Sequence, residues 1–210
     1  MNNPLLDDVR LVDHDMILVR NDVMFSNPES VHYDSMLVVA PEYGIVVPRG
    51  YVKVNVEVGP ASFVFVNTHL EAASVDNLRL DQATQLVSDL SVENLPVVLV
   101  GDFNSRAGSG TTYNYVTSQG YTDTWLSNTL TYNSNGYTYG HDSDLMNETP
   151  NFFERIDFIF VRTALQMQYG EGFVLGDEVR DKTPSGLWPS DHGGVVFKII
   201  FPVPSKLALN

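Results

Sequence analysis

The sequence predicts a mixed α/β sandwich, and three features of the chain carry this prediction. Several short segments alternate apolar with polar residues or are rich in β-branched and aromatic residues, as half-buried strands are. One longer stretch, Val75–Ser91, repeats its apolar residues at helical spacing. A fully apolar run that begins at Pro96, PVVLVGDF, is typical of a central strand buried on both faces.

The first half of the chain supplies strands, a hairpin and the helix. Strands are predicted at Val9–Arg20, Met36–Ala40, Tyr51–Val58 and Ser62–Leu70. Gly59-Pro60, between the last two of these strands, is typical of a hairpin turn. Ser74 precedes the helical stretch and is predicted to be its N-cap. The buried strand after Pro96 follows the helix.

The second half of the chain begins with a segment that favours loops. Residues 105–150 are rich in Gly, Ser, Thr, Asn and Tyr, and they predict a long loop with one short helix near Thr112–Gln119. The tyrosines of this loop predict packing at a sandwich edge, with stacking on a substrate as the alternative. Further strands are predicted at Arg155–Arg162, Leu165–Val174 and Gly194–Phe201. Neither a repeat nor a linker is visible, so residues 1–210 are expected to form a single domain.

Composition limits the classes of function. The 210 residues are 43% hydrophobic, which is typical of a globular protein, and contain no cysteine, which excludes disulfides, thiol nucleophiles and cysteine zinc sites. No apolar run reaches the roughly 18 residues of a membrane span. The net charge of −14 comes from 26 acidic and 12 scattered basic residues, so tight non-specific binding to nucleic acid is not expected. A weakly charged substrate, an acidic cluster that needs a divalent cation, and solubility alone all remain compatible with this charge.

Four short segments place polar and ionisable residues at the ends of apolar strands. They are NTHLE at 67–71, GDFN at 101–104, RID at 155–157 and SDH at 190–192. Binding and catalytic groups are often built where a rigid strand passes into a loop. Asp102 and Asn104 are two residues apart, and such a pair is able to orient a water molecule and hold an oxyanion. Each segment alone also fits an ordinary turn, a structural histidine or a local ion pair.

Together and in this order, the segments resemble a known superfamily. FVNTHL, VLVGDFN, RIDFIF and PSDHG are similar to the motifs of the endonuclease/exonuclease/phosphatase superfamily, which are metal-dependent hydrolases of phosphate esters. The resemblance implies a four-layer α/β/β/α sandwich with two mixed β-sheets packed face to face. LVDHDMILVR, VPRGYV and SGLWPSDH resemble bacterial secreted-type members, which implies export, although MNNPLLDDVR contains no signal peptide.

The resemblance implies catalytic roles for five residues. His69 would face the scissile phosphate, and Asp102 would align or deprotonate the attacking water. Asn104 would hold a phosphate oxygen. Asp157 would pair with His192 and fix its tautomer, and His192 would donate to a non-bridging phosphoryl oxygen. These groups suit in-line displacement at phosphorus, which needs an oriented nucleophile and neutralisation of the equatorial oxygens.

The resemblance also implies a metal site and a class of substrate. Asp191, Asp102 and Asn104 would hold a divalent cation, and oxygen ligands of this kind favour Mg²⁺ or Mn²⁺. The substrate would be a phosphate ester, most simply a phosphodiester, carried by a nucleic acid or a phospholipid headgroup. Hydrolysis without a metal is the weaker alternative, because the sequence has no Gly-x-Ser-x-Gly elbow.

One departure from the superfamily pattern leads to two further expectations. Members begin with a strand that bears a metal-binding Asn and continue to a metal-binding Glu in a QE-type motif, and neither motif is found here. The chain is therefore expected to represent the domain without its N-terminal part, so that a catalytically impaired remnant with a binding or assembly role is the alternative to an enzyme. Sheet surface left uncovered in this way predicts a homodimer.

Overall fold

The structure is a computed structural model that describes residues 14–72, 75–128 and 134–202. Within these residues, loops of different lengths and three 3₁₀ turns connect ten strands and two α-helices, and the longest connection runs from residue 128 to residue 156. The elements are β1 Met24–His32, β2 Leu37–Ala40, β3 Ile45–Val47, β4 Gly50–Val58, β5 Ala61–His69, α1 Asp76–Leu90, β6 Val97–Asp102, α2 Thr111–Ser118, β7 Thr122–Asp123, β8 Asp157–Arg162, β9 Gln168–Leu175 and β10 Gly194–Ile200.

Six of the strands form one mixed sheet. Their order is β1-β4-β5-β6-β8-β7, and the pair β5–β6 is parallel while the other neighbours are antiparallel. Strands β9 and β10 form a separate antiparallel pair, and β2 and β3 form a small hairpin. The predicted mixed α/β class with two sheets is therefore confirmed.

The helices cover one face of the large sheet. Alternation along β5 turns Val64 and Val66 toward this face, where they are fully buried with Leu86 and Leu90 of α1. The buried run of β6 lies between β5 and β8, as its apolar pattern predicts. Neither of the helices in the described ranges is long and apolar enough to cross a membrane.

The second sheet faces the opposite side of the large sheet. Phe65 of β5 and Phe197 of β10 line a cavity of about 360 Å³ between the two sheets, and the rings of Phe63 and Phe201 stack 4.7 Å apart. On the outer side of this second sheet Phe173 is about half exposed. In the described residues, the β9–β10 pair thus lies on the side of the large sheet away from the helices. The four-layer arrangement stays a prediction.

Two predicted features need correction or fall outside the described residues. Residues 14–20 of the strand predicted at Val9–Arg20 form no strand, and residues 9–13 lie outside the described ranges. The predicted N-cap Ser74 also lies outside these ranges, and the prediction is wrong, because α1 begins one residue later and has Val75 at its N-cap, without a capping side-chain hydrogen bond. Residues 14–20 cross the sheet face instead of pairing with an edge, and the side chain of Asn67 donates a hydrogen bond to the carbonyl of Met16. An apolar run without a ladder partner cannot form a strand.

Candidate active site

Three of the predicted site residues lie side by side because of strand register. His69 at the end of β5 is paired with Asp102 at the end of β6, and Asp102 is paired in turn with Asp157 at the start of β8. Neighbouring strands are about 4.8 Å apart, so this register places three side chains in one row. The row lies on the face opposite the helices, at the end of the sheet where the cavity described below opens.

The turn after β6 depends on an unusual backbone. Gly101 has a φ of 140°, and a Cβ there would lie 1.8 Å from the carbonyl oxygen of Thr68. Asn104 has a φ of 48°, which Asn tolerates better than most residues. Its backbone N–H donates to Asp102 Oδ1 at 2.7 Å, and its side-chain amide donates to the carbonyl of Leu70 at 2.9 Å. The turn thereby fixes the Asp102 carboxylate in place.

His192 reaches the same row from the loop before β10. Its Nδ1 lies 2.9 Å from Asp157 Oδ2, and its Nε2 lies 3.9 Å from Asp102 Oδ2. His69 Nε2 lies 3.4 Å from the same Asp102 oxygen. Two imidazole rings therefore flank one carboxylate, and a second carboxylate holds one of these rings in orientation.

A cavity of about 630 Å³ contains all the site residues expected from the sequence. It is lined by Arg49, His69, Ala72, Asp102, Asn104, Tyr139, Glu154, Ile156, Asp157, Asp191 and His192. Ligand atoms of Asp102, Asp157 and His192 lie within 4.8 Å of one another, as a metal site requires. Asp191 is exposed at the rim and does not belong to this group of acidic and histidine side chains. The roles of Asp191 and Asn104 as metal ligands stay predictions.

The electrostatics of the site favour a bound cation. Burial, followed by the charge of Asp157, raises the pKa of Asp102 to about 7. Burial alone lowers the pKa of His192, but the hydrogen bond and charge of Asp157 and the charges of Asp102 and Asp191 outweigh it, so the pKa is raised. A divalent cation would relieve the repulsion between the carboxylates, and carboxylate oxygens suit Mg²⁺ or Mn²⁺. The donor set therefore fits the expected metal.

Arg49 is a site residue that the sequence motifs do not reveal. It precedes β4, and its Nη1 donates to His69 Nδ1 at 3.0 Å while its Nη2 lies 3.5 Å from Glu71 Oε1. It places a fixed positive charge on the cavity wall of an otherwise acidic protein. Its position at the start of a strand that pairs with the His69 strand is the signal that would have indicated it.

Thr138 is a second residue that the motifs do not reveal. Its Oγ1 donates to Asp157 Oδ2 at 2.6 Å, and its carbonyl accepts a 2.6 Å hydrogen bond from the Gly193 N–H. It thus joins the two segments that carry Asp157 and His192. The next residue, Tyr139, packs its ring 4.8 Å from the His192 ring, so this tyrosine of the loop lies at the site.

Asp157 is not paired with its sequence neighbour Arg155. Instead Arg155 Nη1 lies 2.8 Å from Asp123 Oδ2, and both side chains are buried. The local ion pair that would explain the RID segment as purely structural is therefore not formed. The Asp157 carboxylate accepts hydrogen bonds from Thr138 and His192.

Solved structures with the same fold come from several organisms. A mannosyl-6-phosphatase from Bacteroides thetaiotaomicron gives a TM-score of 0.64 at 22% identity, over 85% of this chain and 67% of that protein. D. rerio TDP2, complexed with a single-stranded DNA product, gives a TM-score of 0.63 at 20% identity, over 84% of this chain and 68% of that protein. An endonuclease/exonuclease/phosphatase family protein from B. thetaiotaomicron gives a TM-score of 0.65 at 23% identity, over 86% of this chain and 67% of that protein. At these identities the likeness shows the fold.

Comparison at the sequence level identifies the family. Curated protein sequences give no match. The profile of the endonuclease/exonuclease/phosphatase family, in contrast, matches residues 16–192, well over half of the 210 residues. The match includes the His69, Asp102, Asp157 and His192 positions. The chain therefore belongs to the endonuclease/exonuclease/phosphatase family, whose members are phosphoester hydrolases.

Proposed function

We propose that this chain hydrolyses phosphodiester bonds by metal-assisted, in-line attack of water on phosphorus. The observation that carries the proposal is the row of His69, Asp102 and Asp157, to which His192 is added by its hydrogen bond to Asp157. Two imidazoles, one arginine and the carboxylates of Asp102, Asp157 and Asp191 line one cavity and would supply the donors, the base and the cation ligands of phosphoryl transfer.

Each residue of the site has a distinct part in this proposal. Asp102 orients the attacking water and accepts its proton, since the Asn104 N–H holds the carboxylate in place. The Asn104 carboxamide contacts a phosphate oxygen. His192, oriented through Nδ1 by Asp157, presents Nε2 to a non-bridging oxygen. His69 and His192 lie on either side of Asp102, so His69 contacts the phosphoryl group from the side opposite to His192.

The proposed cation is Mg²⁺ or Mn²⁺. Asp102 would hold it together with Asn104 and Asp191, all of which line the same cavity. When bound, it neutralises charge on the phosphoryl oxygens. The net charge of −14 supports this part of the proposal, because a cation would offset the repulsion between the acidic protein and an anionic substrate.

A phosphodiester is proposed in preference to other phosphate esters. One structural neighbour is a mannosyl-6-phosphatase and another holds a single-stranded DNA product, so the fold accommodates phosphate groups of different kinds. A diester carries one negative charge fewer than a monoester, which suits an acidic chain. Its phosphodiester group would come from a nucleic acid or a phospholipid headgroup.

Hydrolysis of bis-p-nitrophenyl phosphate tests the proposal. We expect turnover with Mg²⁺ or Mn²⁺ that EDTA abolishes, and a loss of at least about 100-fold in Asp102→Ala or His192→Ala, because general acid–base groups contribute this much. Asp34→Ala and His32→Ala, at exposed positions outside the cavity, serve as matched controls and should retain activity.

Two outcomes would contradict the proposal. Turnover that survives EDTA would instead support hydrolysis without a metal. A folded protein that is inert with Mg²⁺, Mn²⁺ and Ca²⁺ alike would support the alternative of an impaired family member with a binding or assembly role.

We also propose that the chain forms a homodimer through the outer face of the β9–β10 sheet. Phe173 and Val196 are cross-strand partners on this face, and both are exposed. Leu175 and Ile200 are further exposed apolar side chains of the same two strands. A two-stranded sheet is marginally stable alone, and a second copy would bury this face and its open edges.

A further inference from the structure

We propose that Arg49 is a positioning residue that holds His69 in the tautomer with its proton on Nε2. The contact that supports this is the 3.0 Å distance between Arg49 Nη1 and His69 Nδ1. A guanidinium has only donors, so Nδ1 must be the acceptor in this hydrogen bond. The ring proton is then on Nε2, which lies 3.4 Å from Asp102 Oδ2.

The surroundings of Arg49 fix it in this role. Its side chain is 13% exposed and its partner Glu71 is 4% exposed. Glu71 is itself held by helix α1 and by the residue that follows it, since its N–H donates to the Gln82 side chain and its Oε1 accepts from the Ala72 N–H, both at 2.9 Å. A buried carboxylate therefore anchors the guanidinium, and the guanidinium orients the imidazole.

The contact with Arg49 decides which nitrogen of the His69 ring carries the proton. A cation contacts Nδ1, so the proton is directed to the opposite nitrogen, Nε2. Which nitrogen carries the proton is set by the partner of the other nitrogen.

The tautomer decides what His69 is able to do at the site, an argument that rests on the proposed function. With a proton on Nε2, His69 donates a hydrogen bond toward Asp102 or a phosphoryl oxygen and cannot accept the proton of the attacking water. Asp102 is then left as the base. Arg49 also adds its fixed charge to the same cavity wall.

NMR of the imidazole nitrogens tests the proposal without requiring activity. Long-range ¹H–¹⁵N spectra of the metal-free protein should show His69 with an unprotonated Nδ1 and a protonated Nε2, with the resonance assigned by its loss in His69→Asn. Arg49→Met should convert this pattern to a tautomer mixture, and Arg49→Lys, which keeps a donor, should preserve it. Arg106→Met is the control, because Arg106 is 58% exposed and pairs with Glu154.

A folding defect in Arg49→Met would not prevent the test. The double variant Arg49→Met/Glu71→Gln removes the buried charge left without its cation and should show the same tautomer mixture. A wild-type His69 with its proton on Nδ1, or an unchanged tautomer in the folded Arg49→Met or double variant, would overturn the proposal.

Kinetics provide a second readout. In Arg49→Met we expect kcat on bis-p-nitrophenyl phosphate to fall about 10- to 100-fold, by analogy with the loss of partners that orient metal-ligating histidines, with a smaller change in KM. Arg49→Lys should recover much of this loss. An inert wild-type protein would contradict the proposed function but leave the NMR result to decide on Arg49. Equal kcat values in wild type and Arg49→Met would count against the positioning role.

Discussion

Burial and the neighbouring Asp157 raise the pKa of Asp102 from an ordinary value of 3.8 to about 7. Between these two values the folded protein binds a proton that the unfolded chain has released. The free energy of unfolding of the metal-free protein should therefore fall as the pH rises from about 4 to about 7, because the unfolded state then binds fewer protons. The raised pKa of His192 extends the same trend as the pH passes through that pKa.

Urea unfolding at several pH values checks this expectation. Asp102→Asn should flatten the decline between pH 4 and pH 7, whereas Asp34→Asn, an exposed control, should not. Added Mn²⁺ should stabilise the wild type more at high pH, because the cation competes with the proton for the carboxylate. Parallel pH profiles for the wild type and Asp102→Asn would refute the assignment of this decline to Asp102.

At the residue scale, the sequence predicts the groups in short motifs but not their distant partners. His69, Asp102, Asp157 and His192 stand in recognisable segments at strand ends, and the structure brings them together. Arg49 is 20 residues from His69, and Thr138 is 19 residues from Asp157. Such contacts arise from sheet pairing and loop packing, which the short motifs themselves do not contain.

At the scale of elements, the turn after β6 depends on Gly101, the second-last residue of that strand. Gly101→Ala would place a methyl group 1.8 Å from the Thr68 carbonyl oxygen, in the ladder between β5 and β6. We expect a loss of several kcal/mol in the free energy of unfolding, since both backbone strain and the clash contribute about 1–3 kcal/mol each. Chemical denaturation measures this loss.

Gly120→Ala is the matched control for this substitution. Gly120 also has a positive φ, 85°, but a Cβ there meets no atom within 4 Å. Gly120→Ala should therefore lower the free energy of unfolding only through backbone strain, by about 1 kcal/mol. If Gly101→Ala and Gly120→Ala lowered the free energy of unfolding equally, the close approach to Thr68 would not contribute to the effect of Gly101→Ala.

Strand alternation predicted most elements, and the exceptions have physical reasons. The hairpin β4–β5 and helix α1 follow their patterns closely. Strand β1 was not predicted because its sequence, MFSNPESVH, has no apolar alternation: it is a largely exposed edge strand, where Pro28 is tolerated. The apolar residues 14–20 instead cover a sheet face, which periodicity alone cannot distinguish from a strand.

At the scale of the whole molecule, light scattering after size exclusion tests the proposed dimer. At micromolar concentration we expect twice the 23.4 kDa chain mass. Val196→Lys should produce the monomer, because it places a charge on the outer face of β9–β10. Val38→Lys, on the exposed hairpin β2–β3, should leave the dimer intact. A wild-type monomer at this concentration would refute the proposal.

The layering of the molecule is less predictable than its elements. The order of strands and helix indicates a mixed α/β sandwich, and the resemblance adds a second sheet. Which strands join which sheet depends on long-range pairing, as for β8, which pairs with β6 across a separation of more than fifty residues. Local periodicity does not contain this information.

The shared register of β5, β6 and β8 also makes the site vulnerable to a single insertion. One extra residue in β6 between Val98 and Val100 would shift Asp102 to the opposite side of the sheet, toward Phe160 and Leu86 in the core. An ionised carboxylate in that apolar layer would destabilise the fold. The same insertion would also leave His69 and His192 without Asp102, the carboxylate between them. Selection for a folded chain therefore also protects the alignment of the chemical groups.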